Sequence, residues 1–104
     1  MKVLLDYRGL AIRLTDERLG HILEHPEMVG LEHAIEETLL QPERVVESFS
    51  DPTAKLHYRY YTQTLVGGKY LCVVVKTSEA DAFVLTAYLT DKIKRGRPIW
   101  PKEA

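Results

Sequence analysis

The tetrapeptide Val66-Gly67-Gly68-Lys69 constrains this chain more than any other stretch. Two glycines between two long β-prone runs supply the backbone angles that a tight hairpin turn needs, at no steric cost. The run before them, Lys55–Thr64, is rich in tyrosine. The run after them, Tyr70–Lys76, is almost continuously apolar, which predicts a central strand covered on both faces. A polar loop, Thr77–Asp81, then leads to Ala82–Thr90. These runs predict an antiparallel meander, with Arg44–Phe49 as a fourth strand across the turn Ser50-Asp51-Pro52-Thr53.

The first half of the chain reads differently. Lys2–Asp6 and Leu10–Leu14 flank Tyr7-Arg8-Gly9 as an N-terminal hairpin. Thr15 is a natural N-cap for a helix from Asp16 to about Glu24, with Leu19, Ile22 and Leu23 on one face. Pro26 disfavours helical geometry at His25 and suits the first turn of a second helix, expected to reach Leu40 before Gln41-Pro42. Helices followed by strands argue for an α+β fold rather than a parallel α/β one. The expectation is two N-terminal helices packed on one face of a four-stranded antiparallel sheet. Residues 1–104 form one domain in this reading, with a core over about 10–97 and a C-terminal tail over 98–104.

Charge is unevenly spread. Residues 16–47 hold nine acids against Arg18 and Arg44, whereas Lys92, Lys94, Arg95, Arg97 and Lys102 face only Asp91 and Glu103. A sequence pI of 6.4 makes a uniformly basic nucleic-acid binder unsuitable, so any anionic partner is expected to meet one surface. The longest apolar runs are too short to cross a bilayer, and no partner membrane is expected. The first residues lack the apolar stretch of a secretory signal, and the sole cysteine, Cys72, cannot form an internal disulfide. A reducing cytoplasm is therefore the expected location.

The two-residue period of strands sorts the expected sheet faces. Leu56, Tyr58 and Tyr60 are assigned with Leu71, Val73, Val75, Phe83, Leu85 and Leu89 to the helix-covered face. The second face then collects His57, Arg59 and Tyr61, with Tyr70, Cys72, Val74 and Lys76, and with Thr86, Tyr88 and Thr90. An imidazole, a guanidinium, an ammonium and hydroxyls with almost no acids suit metal-free phosphodiester chemistry. Histidine titrates near neutrality as a base, and arginine offers a planar fork to phosphate. The same residues also suit an ordinary solvated sheet face. A register slip of one residue would exchange the two sets in the second strand.

Among the helical histidines, His21 is the candidate for chemistry, because its helix could present it at the sheet edge. His33 reads as packing. His21 and His25 stand four apart, but a His-Glu-x-x-His pattern is absent and Cys72 is the only thiol, so a zinc site is not expected. No metal and no cofactor are expected, and Gly67-Gly68 lacks the pattern of a phosphate loop.

Four stretches carry a resemblance: Ile12-Arg-Leu-Thr-Asp-Glu-Arg-Leu-Gly-His-Ile-Leu-Glu-His-Pro-Glu-Met, Ile35-Glu-Glu-Thr-Leu-Leu-Gln-Pro-Glu-Arg-Val, Tyr70-Leu-Cys-Val-Val-Val-Lys, and Phe83-Val-Leu-Thr-Ala-Tyr-Leu-Thr-Asp-Lys-Ile-Lys-Arg-Gly. In this order they resemble small phage-type members of the barnase–EndoU–colicin–RelE-like nuclease group, over residues 10–97. The resemblance implies an α+β fold and metal-independent RNA cleavage of a toxin-like or phage-derived kind. It points to His21, Arg59, Tyr61, Lys76, Thr86 and Tyr88. His21 or His57 would act as the base, Arg59 and Lys76 as the phosphate clamp, and Thr86 or Tyr88 as a donor that orients the substrate. An antidote or another protein is an implied partner.

Two other readings stand beside it. Lys92, Lys94, Arg95 and Arg97 could hold RNA without cutting it, in a non-catalytic binding protein. Alternatively, the acidic helix at Glu32–Glu37 or the Ile99-Trp100-Pro101 tail could serve a protein partner.

Overall fold

The computed structural model describes residues 1–102. Its elements follow in the order β1 (Lys2–Leu5), β2 (Ala11–Leu14), α1 (Asp16–Leu23), a 3-10 turn (Pro26–Met28), α2 (Glu32–Leu40), β3 (Arg44–Glu47), β4 (Ala54–Tyr61), β5 (Lys69–Thr77), β6 (Ala82–Thr90) and β7 (Arg97–Trp100). The α+β class agrees with the sequence. The four-stranded antiparallel sheet does not: all seven strands form one mixed sheet, ordered β1-β2-β6-β5-β4-β3-β7. The pairing between β2 and β6 is parallel, at Arg13 opposite Phe83. No helix among the described residues is long and apolar enough to cross a membrane.

Local chemistry explains most element ends. Thr15 accepts the Arg18 main-chain N–H at 3.1 Å and opens α1. The second helix starts later than expected, because Gly30 adopts a φ of +86° that ordinary residues avoid, separating the Pro26 turn from α2. The stretch read as a tail over 98–104 begins with residues of β7, which pairs with β3 through Glu47–Arg97 and Val46–Pro98, and residues 103–104 lie outside the described residues. Proline is tolerated there because β7 is an edge strand.

Two apolar clusters hold the sheet. On the helix side Ile22, Met28, Ile35 and Leu39 pack on Leu71, Val73, Val75, Val84 and Ala87, joined by Leu4, Ile12 and Leu14 of the first hairpin. Each of the larger aliphatic side chains among them, fully buried, stabilises the fold by about 1.5–3 kcal/mol. Tyr7, in the turn of that hairpin, lies with its ring 5.3 Å from Trp100 of β7. The two ends of the strand order thus approach each other, and the sheet curls around its helix-side core.

The second cluster lies on the other face: Val46, Leu56, Tyr58, Cys72 and Val74, with Leu85, Tyr70 and Ile93 packed against them. It exists because of the link between β6 and β7. These strands are separated in the sheet by β5, β4 and β3, so residues 91–96 cross the second face as a strap. Ile93 packs on the cluster, and the Lys94 N–H donates to the Tyr58 hydroxyl at 3.1 Å. Gly96 passes so close to β3 that a Cβ there would lie 2.5 Å from the Glu47 carbonyl oxygen.

Both assigned sheet faces need correction. In β4, Arg59 stands opposite Leu71 and His57 opposite Val73, while Tyr58 stands opposite Cys72. His57, Arg59 and Tyr61 therefore share the helix-side face, and Leu56, Tyr58 and Tyr60 the strap-side face. In β6 the register shifts between Val75–Val84 and Val74–Thr86, leaving Leu85 as the extra residue of a bulge. Val84 consequently joins Ala87 and Leu89 toward the helices, while Leu85 turns to the second cluster.

Candidate functional site

The seven residues expected to carry cleavage are divided by the sheet. His57 is only 2% exposed, with Nδ1 3.3 Å from the Val73 carbonyl oxygen. Burial pushes its pKa down to about 4, so the imidazole is neutral near pH 7 and shielded from solvent. The Tyr7 ring meets it edge-on at 6.1 Å. Arg59 reaches the end of α2, where Nη1 donates to the Gln41 carbonyl at 2.7 Å and Nε lies 3.4 Å from Glu37. The Tyr61 hydroxyl donates to the same Glu37 carboxylate at 2.6 Å. Burial first, then Glu37, raises the Tyr61 pKa to about 12. These three side chains fasten α2 and the first hairpin to β4.

His21 lies exposed on α1 between two carboxylates, 3.9 Å from Glu17 and 3.7 Å from Glu24. Its helix packs on the helix-side core through Ile22, on the far side of the sheet from Lys76, Thr86 and Tyr88. His33, expected to pack, is exposed. Among the described residues, no three metal-ligating side chains converge.

Lys76, Thr86 and Tyr88 do share the strap-side face. Lys76 Nζ is 2.6 Å from Asp51, whose carboxyl is held down to about 2 by that ammonium and by the Thr53 hydroxyl and N–H. Tyr88 stands opposite Cys72 in the register. Burial raises the Tyr88 and Tyr58 hydroxyls well above the usual phenol range, and it pushes the Cys72 thiol up to about 11. That thiol, between two protonated phenols, is a poor nucleophile.

The strap itself builds the strongest feature of this face. A pocket of about 290 Å³ opens between the strap, β3 and β7. Its walls combine the apolar Val46, Ile93 and Pro98 with three cations: Arg44 of β3, and Lys94 and Arg95 of the strap. Lys92 is exposed nearby in sequence, and Arg97 lies 3.9 Å from Glu47. Among the described residues, none of Arg44, Lys92, Lys94 and Arg95 has an ion-pair partner. Most other cations of the chain do: Lys2, Arg8, Arg13, Lys55, Arg59, Lys69 and Lys76 all face carboxylates.

Sequence reasoning singled out Lys94 and Arg95 but missed Arg44. The missing signal was spatial, because Arg44 joins the strap only through a crossover that places residues 44 and 94–95 on one wall. Arg44 also sits among acids in the sequence, between Glu43 and Glu47, which hides it from any count of local charge. No family model, curated protein or solved structure matches the chain.

Proposed function

We propose that this protein binds RNA through the strap side of its sheet, with Arg44, Lys94 and Arg95 holding phosphates. One observation carries the reading: three cations from two elements surround one pocket, and none is neutralised by an acid among the described residues. Unpaired cations around a concave wall focus positive potential even in a chain of net charge −1. Arginine brings a planar fork to phosphate and lysine a mobile point charge. The order of motifs resembling the nuclease group supports RNA as the polyanion.

Cleavage is a second reading, favoured by the placement of Lys76, Thr86 and Tyr88 on the same face. In this reading the two imidazoles expected as the base stand apart from those residues: His57 is enclosed on the opposite face, and His21 lies on α1 across the sheet, between Glu17 and Glu24.

The test incubates a labelled mixed-sequence RNA with the protein in EDTA and follows both retention and length. RNA bound and left intact, with binding lost in the double variant Arg44→Gln/Lys94→Gln, supports the binding reading. RNA shortened by the wild type but not by Tyr88→Phe supports cleavage on this face. Neither retention nor shortening overturns both.

A further inference from the structure

Trp100 is 40% exposed, although an indole is among the largest apolar surfaces a chain can bury. It stands opposite Val45, which stands opposite His57 in β4, so its ring lies on the helix side of the sheet, 5.3 Å from that of Tyr7. The strap pocket opens on the other side, yet Trp100 and Pro101 line it as well. β7 is the last strand of the sheet, and the two sides meet around its outer edge.

Three hollows follow one another around that edge. The strap pocket, with Arg44, Lys94 and Arg95, is the first. The second, of about 500 Å³, shares Pro98 and Pro101 with it and adds Ile99 and Lys102. The third, of about 360 Å³, shares Ile99 and Lys102 with the second and is closed by Tyr7, Arg8 and Trp100. Together they make one path from three cations to an aromatic pair.

The aromatic end of the path is fixed in place. Tyr7 meets His57 edge-on at 6.1 Å, and the Arg8 guanidinium lies 5.4 Å from the centre of its ring. Arg8 is itself held at 2.9 Å by the buried carboxylate of Asp6. A platform that is already ordered loses little freedom when it is used. Lys102 adds a cation without an ion-pair partner among the described residues.

We infer that the site takes single-stranded RNA: phosphates sit in the strap pocket, the strand turns around the β7 edge past Lys102, and one unpaired base stacks on Trp100. This deepens the RNA reading and rests on it. Inside a duplex both faces of a base are covered by its neighbours, so none is left for the indole. An unpaired base stacks on an aromatic ring whatever its identity. The site therefore distinguishes strandedness rather than sequence.

Trp100 is the only tryptophan, so indole emission reports on this one residue. The test titrates the full chain with a mixed-sequence single-stranded RNA, and with the same RNA annealed to its complement, following filter retention and tryptophan emission together. The single strand quenches the emission and is retained about tenfold more tightly than the duplex. Trp100→Leu, its folding checked by thermal melting, removes that preference, and Trp100→Phe keeps most of it. Quenching in the wild type needs no variant, so the test survives a Trp100→Leu chain that does not fold. Equal retention of single strand and duplex, or retention of the single strand without quenching, overturns the stacking and leaves the phosphate contacts standing. Retention of neither RNA overturns the RNA reading, and this inference with it.

Discussion

His57 stands directly opposite Val73 across β4 and β5, and its Nδ1 lies 3.3 Å from that residue's carbonyl oxygen. An imidazole enclosed this way resists protonation, and its cost appears in acid. The unfolded chain binds a proton near pH 6.5, whereas the folded chain binds it only near 4. Above 6.5 neither state is protonated at this site, so His57 contributes no slope. Between 6.5 and about 4 the unfolded state holds more protons, so stability falls as pH falls, by roughly 3 kcal/mol in all. Urea melts of wild type and His57→Leu across this interval check it. The wild-type curve declines with acid, and the variant's decline is markedly shallower.

Arg59 fastens the end of α2 by its bond to Gln41 and its contact with Glu37. Arg59→Ala therefore lowers stability by about 1–2 kcal/mol, the worth of a charge-assisted hydrogen bond, and leaves RNA affinity unchanged. Denaturant midpoints and filter binding on the same preparation separate the two effects. Lost RNA affinity in a fully folded variant would contradict this placement.

Gly96 has no room for a side chain, because a Cβ would strike the Glu47 carbonyl. Gly96→Ala must shift the strap away from β3, at a cost of about 1–3 kcal/mol. Thermal melting reads the loss. Exposure of the second cluster also lets Cys72, buried in the wild type, react with a thiol reagent more quickly.

Arg44 and Lys94 are expected to act on phosphates rather than on bases. Arg44→Gln and Lys94→Gln each weaken RNA binding across sequences, and each reduces the slope of log affinity against log salt by about 1. Titrations at several salt concentrations measure it. An unchanged slope would remove these side chains from the contact.

Much of the architecture is readable in the residues. Thr15 caps a helix, Gly67-Gly68 turns a hairpin, and the apolar run of β5 does lie at the centre of the sheet. The register of β4 is not readable, for a specific reason. Tyr58 and Leu56 look like core residues and are buried, but in a second cluster that only the strap creates. His57 and Arg59 look like surface residues, yet the first covers itself with Tyr7 and the second bonds α2. The bulge at Leu85 is equally silent, because Val84, Leu85 and Thr86 are all at home on either face of a strand. Pro98 conceals β7 by resembling a strand breaker. Of the candidate site, the strap cations were legible as a charge run, but their meeting with Arg44 depends on pairings between distant segments.

The contact between Tyr7 and Trp100 has a consequence for the order of assembly. The two rings are separated by nearly the whole chain, and bringing them together closes a long loop whose entropic penalty is offset only once the intervening strands have paired. Hairpins β1–β2, β4–β5 and β5–β6 need only short closures and can form early. On this argument Tyr7 and Trp100 are expected to meet late, together with β7 and the strap that precedes it. Because the cationic pocket is lined by β3, the strap and β7, the surface proposed for RNA requires that late pairing to be in place.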